Sequence, residues 1–353
     1  VNGGVGANGV PVEVLLENGG KLVTSSSGDQ YVATSGIVAV ETLDAGTGTV
    51  TIVNGTFQLT SDDSIADTSS IAIVTNATLD VGTANEIVQK MTIDGGLIIE
   101  NGGTITATSG TVLISGTVSG ISGAQGVVKT GDGTVVVTGV NDYTGPTVIQ
   151  FGDVAIDTTG AITESEITVE DQGILSGGNA DPTVTEGGVV NLVIVEDGGT
   201  VAPGASPSIL RTGDLTFNSG GNYAVDIFGA MPGAGYDQLR VTGTVTINNA
   251  NLLLDFGSFA AAVGSVFTII DNDGVDPVVG QFNGFPQGAT RFVEGHFLQV
   301  SYTQGDGNDV VVAIVPVEYD FGDASATYPT TLAQDGARHA LSGLLLGTQW
   351  DAE

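Results

Sequence analysis

Apolar and polar residues alternate along this chain in short phrases: VEVLLENGGKLVT, TVTIVNGTFQLT, IAIVTNATLDV, GLIIENGGTITAT, GTVLISGTV, ESEITVEDQGIL and VVNLVIVEDGGTVAP. A period of two sends successive side chains to opposite faces of a strand, so each phrase predicts half-buried β-strands. Turn chemistry of the Asn-Gly or Glu-Asp-x-Gly type splits them, because Gly and Asn tolerate the backbone angles a corner demands. Asn54, Asn76 and Asn101 mark three successive corners, and Asp171 and Asp197 mark two more. A period of roughly 20–27 residues is the signature of a β-solenoid rung. Independent hairpins are the competing reading, since Asn-Gly between alternating runs also signals a hairpin. Two features favour the solenoid. The repeat persists from about Val10 to Val201 without resetting into a compact unit. The outward positions are Thr, Ser and Asn, which form hydrogen-bonded ladders when rungs stack ~4.8 Å apart. The expectation is a stack of parallel rungs with Val, Ile and Leu inside, Ile98 and Ile194 among them.

One stretch carries a family resemblance. KTGDGTVVVTGVNDYTGPTVIQFGDVAI resembles the passenger-associated repeat of autotransporter-type proteins, in which a Lys-x-Gly-x-Gly phrase precedes two strands joined at a Tyr-Thr-Gly corner. GGTVAPGASPSILRTGDLTFNSGGNYAVDI, GYDQLRVTGTVTI, VGSVFTIIDNDGVDPVVGQFNGFPQGA and FLQVSYTQGDGNDVVVAIV then follow the C-terminal part of such passengers in order, so the resemblance covers Gly126 to about Val315. It implies an all-β fold, a right-handed parallel β-helix displayed outside the cell. Beyond Pro316, DFGDASATYPT, DGARHAL and GLLLGTQWDAE resemble the opening of a GEVED domain, a small β-rich extracellular module. The expected organisation is solenoid repeats over 1–200, the C-terminal part of the β-helix over 201–315, and a partial GEVED-like module over 316–353. The first residues, VNGGVGANG, read as the interior of a repeat, as in a piece of a longer protein.

Composition narrows the function. Gly reaches 55 of 353 residues while apolar residues keep 41%, which is ordered β composition and not that of a disordered tail. There is no cysteine, so disulfides and thiolate metal sites are excluded. Seven basic residues stand against forty acidic ones, a net charge of −33, and the seven form no cluster. Nucleic acid and anionic membrane surfaces need concentrated Lys and Arg, so both are excluded as partners. No apolar run is long enough for a transmembrane helix. A lyase needs a placed base and a hydrolase a spaced carboxylate pair, yet the basic residues are dispersed, and His296 and His339 fall in different modules. No catalytic residue and no organic cofactor is assigned.

Three acidic stretches point to calcium, a hard ion that takes six to eight oxygens. DNDGVD offers Asp271, Asp273 and Asp276 but lacks the distal Glu of an EF-type loop, so a simple polar turn is the preferred reading there. GDGND offers Asp306, Asn308 and Asp309, a single copy of a repeat that holds its ions between stacked copies. The C-terminal module offers Asp320 and Asp323 with Asp351 and Glu353. Tyr143, Tyr223, Tyr236 and Tyr302 fall inside the family-type phrases and are expected to pack. The functional expectation is an extracellular structural solenoid, a subunit of a surface or matrix filament that self-associates head to tail by strand addition, with a surface adhesin stalk for a polysaccharide or cell-surface ligand as the alternative. The strand-like phrase ALSGLLLG is expected to dock on a neighbouring subunit.

Overall fold

The computed structural model describes residues 12–13, 20–74, 76–94, 97–100, 104–107, 112–115, 121–123, 127–129, 134–137, 139–178, 188–204, 207–317, 319–321 and 338–340. The described residues are all β and form a parallel β-solenoid. From Ser70 onward each coil contributes three short strands, one to each face, as in Ser70–Val74, Ala77–Gly82 and Asn85–Val88. Two faces are a 16-stranded and a 9-stranded sheet, and from Val140 the third face is a separate sheet of nine strands. Pairing between coils is parallel from Val12 through Gln281, which excludes the hairpin alternative over that span. In-register partners set the coil length: Val136 lies beside Ala155, a step of 19 residues, and Tyr223 beside Leu252, a step of 29.

Alternation explains why these sequences wind. Val135, Val154, Leu175, Val201, Tyr223 and Leu252 are successive register partners on one face, and all are buried. Ile149, Val169, Val195, Phe217 and Ile247 form the matching column on the second face. Each buried side chain of this size contributes roughly 1.5–3 kcal/mol, so the stacked columns form one continuous core. Ile194 corrects an expectation: it is half-buried and registers outward between Thr168 and Thr216, while its neighbours Val193 and Val195 point in. The run NLVIVED is apolar at four consecutive positions, so either register satisfies local hydropathy, and the corner before it sets the phase. Ile98 is registered between Leu79 and Ile121.

Corners use the expected chemistry with one difference. Asn54 and Gly55 do not separate two strands but lie within the single strand Thr49–Leu59, whose first half pairs with Ser70–Val74 and second half with Ala77–Gly82. Gly55 makes that bend at φ 80°, and a Cβ there would sit 2.2 Å from the Thr34 carbonyl oxygen. Asn76 turns its corner at φ 70°; Asn101 lies outside the described residues. Side-chain ladders tie coils together: Asn251 donates to Asn222 Oδ1 at 3.0 Å, and Asn283 donates to Asn251 Oδ1 at 3.3 Å. A second ladder runs from Asn248 to Asn218 to Glu196.

The C-terminal end of the coil is covered. Strand Val266–Asn272 pairs in parallel with the preceding coil and, on its other edge, antiparallel with Asp309–Ile314. That strand pairs with His296–Gln304, which pairs with Thr290–Val293, making an antiparallel meander. Leu298, Val300, Tyr302, Val310, Val312 and Ile314 join the solenoid core. Phe282 lies 5.9 Å from Phe217, 6.1 Å from Tyr223 and 6.4 Å from Tyr302 between ring centroids, so aromatic rings plug this end. All four expected packing tyrosines are buried.

Candidate functional site

Two of the three acidic stretches singled out from sequence meet in space. Residues 271–276 leave the last parallel strand of the third face, and residues 305–309 lead into its antiparallel partner, so strand pairing brings the two loops together. Asn308 Nδ2 donates to the carbonyl oxygens of Asp273 at 3.1 Å and Asp276 at 3.0 Å. Asn272 Nδ2 donates to the same Asp276 carbonyl at 2.9 Å, and its backbone N–H donates to Asp309 Oδ1 at 3.1 Å. Asn272 and Asn308 are 1% and 3% exposed, whereas Asp273 and Asp306 are exposed. Burial, then the charges of Asp271 and Asp306, push the Asp309 carboxyl above its usual range. Asp271 turns away from the junction toward Arg240, with its Oδ2 3.4 Å from Nε.

The third acidic stretch is not assembled here. Asp320 lies on Tyr319–Phe321, which pairs antiparallel with Arg338–Ala340 and places Asp320 opposite His339. Asp323, Asp351, Glu353 and the phrase ALSGLLLG lie outside the described residues. Among the described residues no three His, Cys, Asp or Glu side chains form a metal-binding group. Any cation at the 271–309 junction would therefore depend on amide oxygens beside fewer than three carboxylates. Asn272 was missed by the reading of alternate acids, because an asparagine between two aspartates reads as a turn residue.

Two buried carboxylates also escaped sequence reasoning. Glu86 accepts the backbone N–H of Ser64 at 3.0 Å and of Ile65 at 2.9 Å, and burial raises its carboxyl to about 7. Asp237 accepts those of Ser208 at 2.7 Å and Asp226 at 3.0 Å, and burial again raises it to about 7. Exposed acids do a similar task at corners, Asp29 holding the Thr49 N–H, Asp62 that of Asn85 and Asp214 that of Thr244. Much of the acidic composition thus serves as staples between coils.

An open groove of about 530 Å³ lies on the outer face between Thr134, Val136, Asp153, Ala155, Ser176 and Ser208. Burial raises the Asp153 carboxyl, which accepts a 2.7 Å hydrogen bond from Ser176 Oγ. No aromatic ring lines the groove. Lys129, 3% exposed, sits one register step before Ile149 in the second column and donates from Nζ to the Phe151 carbonyl at 3.0 Å. The imidazole of His296 lies against Phe256 with ring centroids 4.3 Å apart, and its Nδ1 is 3.0 Å from the Glu294 carbonyl oxygen, a packing environment with no nucleophile in it.

Residues 127–156 match the passenger-associated-transport-repeat family model. Over 214 residues, 59% of this chain, the sequence is 29% identical to an extracellular serine protease of Serratia marcescens. The chain spans 18% of that protein's length. The matched repeat is a structural one, and identity at this level over part of the chain carries no protease activity across. The family-model match lies outside the GEVED-like residues 316–353. Among the described residues no helix is long and apolar enough to cross a membrane.

Proposed function

We propose that this chain is a structural segment of a secreted or surface-exposed passenger, a β-solenoid stalk that holds other parts of its protein away from the cell. The observation that carries this reading is the parallel coil and shared core of the described residues, in a sequence whose repeat matches the passenger-associated model. The face that runs from Val12–Glu13 to Asn251–Asp255 stacks twelve strands, which at ~4.8 Å spacing give a rod of roughly 50 Å. Cysteine-free stapling by buried carboxylates and asparagine ladders suits a protein that must persist without chaperones. The relative's name, an extracellular serine protease, supports export of a similar solenoid and says nothing of catalysis here.

Head-to-tail filament assembly is the competing proposal. It needs an open rung at each end of the subunit, and the meander of Thr290–Val293, His296–Gln304 and Asp309–Ile314 occupies the third face of the C-terminal one, so the stalk is preferred. Electron microscopy with sedimentation of the purified full chain tests the choice. Discrete short rods at micromolar concentration are expected. Long filaments that vanish when Tyr319–Glu353 is deleted would replace the stalk with the filament.

A further inference from the structure

Five buried side-chain polar atoms among the described residues have no hydrogen-bond partner, and three of them sit at the 271–309 junction: Asn272 Oδ1, Asp276 Oδ2 and Asn308 Oδ1. All three are oxygens. The two amides are held in place by their nitrogens, which both donate to the Asp276 carbonyl, so the two orphan amide oxygens belong to one small neighbourhood. A buried acceptor left without a donor is costly, and three in these two loops mark a place built for something that binds oxygens.

The candidates are a water molecule and a cation, and the local charge decides between them. Asp271, Asp273, Asp276, Asp306 and Asp309 belong to these two loops, and Arg240, bridged to Asp271, is the one cation paired to them among the described residues. We propose that the junction binds one hard divalent cation, Ca²⁺ in preference to Mg²⁺, through the carboxylate of Asp276 and the amide oxygens of Asn272 and Asn308, with water completing the shell. Carboxylate, amide and water oxygens in an irregular set suit Ca²⁺, whereas Mg²⁺ demands near-ideal octahedral geometry. The ion would bridge the last parallel strand and the first antiparallel one. Its consequence is mechanical: it locks the meander over the end of the coil.

The experiment is calorimetric titration of the chelator-treated full chain with CaCl₂, with excess Mg²⁺ and about 150 mM salt to suppress weak binding to the acidic surface. One saturable site with a dissociation constant of about 10⁻⁴–10⁻³ M is expected, the range of extracellular calcium modules. Asp276→Asn should weaken it about tenfold or more, about 1.4 kcal/mol at the least, while Asp157→Asn, an exposed acid outside the junction, should leave it unchanged. Circular dichroism establishes that both variants fold. As a second readout, Ca²⁺ should slow proteolysis at Gly305–Gly307 in the parent and not in Asp276→Asn. Absence of a saturable site, or calcium protection that survives Asp276→Asn, overturns the proposal and leaves buried water as the occupant.

Discussion

Position on the pleat governs the cost of a substitution more than residue type does. Val195 and Ile194 are adjacent β-branched residues on one strand, but Val195 is fully buried in the second column and Ile194 faces out between two threonines. An aspartate at 195 would place an unpaired charge in the core, with no basic side chain in its column from 149 to 247. Val195→Asp should therefore destabilise by more than about 4 kcal/mol, and Ile194→Asp by about 1 kcal/mol or less. Urea denaturation of the two variants checks this, and equal midpoints would refute the register. The same logic explains Lys129: its ammonium escapes the column by reaching the Phe151 carbonyl, so its stem packs while its charge stays hydrogen-bonded.

At the level of elements, the coil is held by side chains that reach from one rung to the next. Glu86 and Asp237 are the buried members of this set, each accepting two backbone N–H groups from a neighbouring segment. Their carboxyls move from ordinary values of 4.5 and 3.8 to about 7 in the folded chain. The folded state therefore binds more protons than the unfolded one between those values, and stability falls as pH rises through that window. The contribution is complete below about pH 4 and gone above about pH 7, with a slope of at most about 1.4 kcal/mol per pH unit for each group. Thermal melts should show a higher midpoint at pH 5.5 than at pH 7.5 (within the ~4–7 window). The double variant Glu86→Gln, Asp237→Asn should flatten that difference while lowering stability at pH 5.5, because an amide offers one oxygen where two N–H groups wait. A pH dependence unchanged by the double variant would remove these groups as its source.

For the whole molecule the dominant quantity is the charge of −33. Seven basic residues, Arg240 paired with Asp271 among them, face forty acidic ones, so attraction offsets little of the repulsion. The acids line corners of a rod in which successive rungs stand ~4.8 Å apart, well inside the Debye length of ~30 Å at 0.01 M salt and ~10 Å at 0.1 M. Raising monovalent salt across that range should increase the melting temperature, and the gain should be larger at pH 7.5 than at pH 5.5, where part of the charge is gone. A melting temperature that falls or stays constant with salt would mean that the staples, not repulsion, set the stability. Screening is also a condition for side-by-side packing of such rods on a surface.

Alternation of period two, corners of Asn, Asp and Gly at a repeating interval, and Thr and Asn at outward positions determined the class of this protein: a parallel solenoid with a β-branched core. Those features are local, and each rung repeats them, so one sequence pass reads them many times. The phase of NLVIVED was not local, because four consecutive apolar residues fit either face until the corner before them sets the register. The covered C-terminal end was not local either. Strands Thr290–Val293, His296–Gln304 and Asp309–Ile314 alternate like those before them, and what makes them a meander is the direction of pairing. The two calcium-like stretches were legible one by one, each insufficient for an ion. Antiparallel pairing of Val266–Asn272 with Asp309–Ile314 joins them, and burial then strands Asn272 Oδ1 and Asn308 Oδ1 beside Asp276. Composition announces acids, but only tertiary packing decides which of them face water, which staple a corner and which are left with an unfilled oxygen.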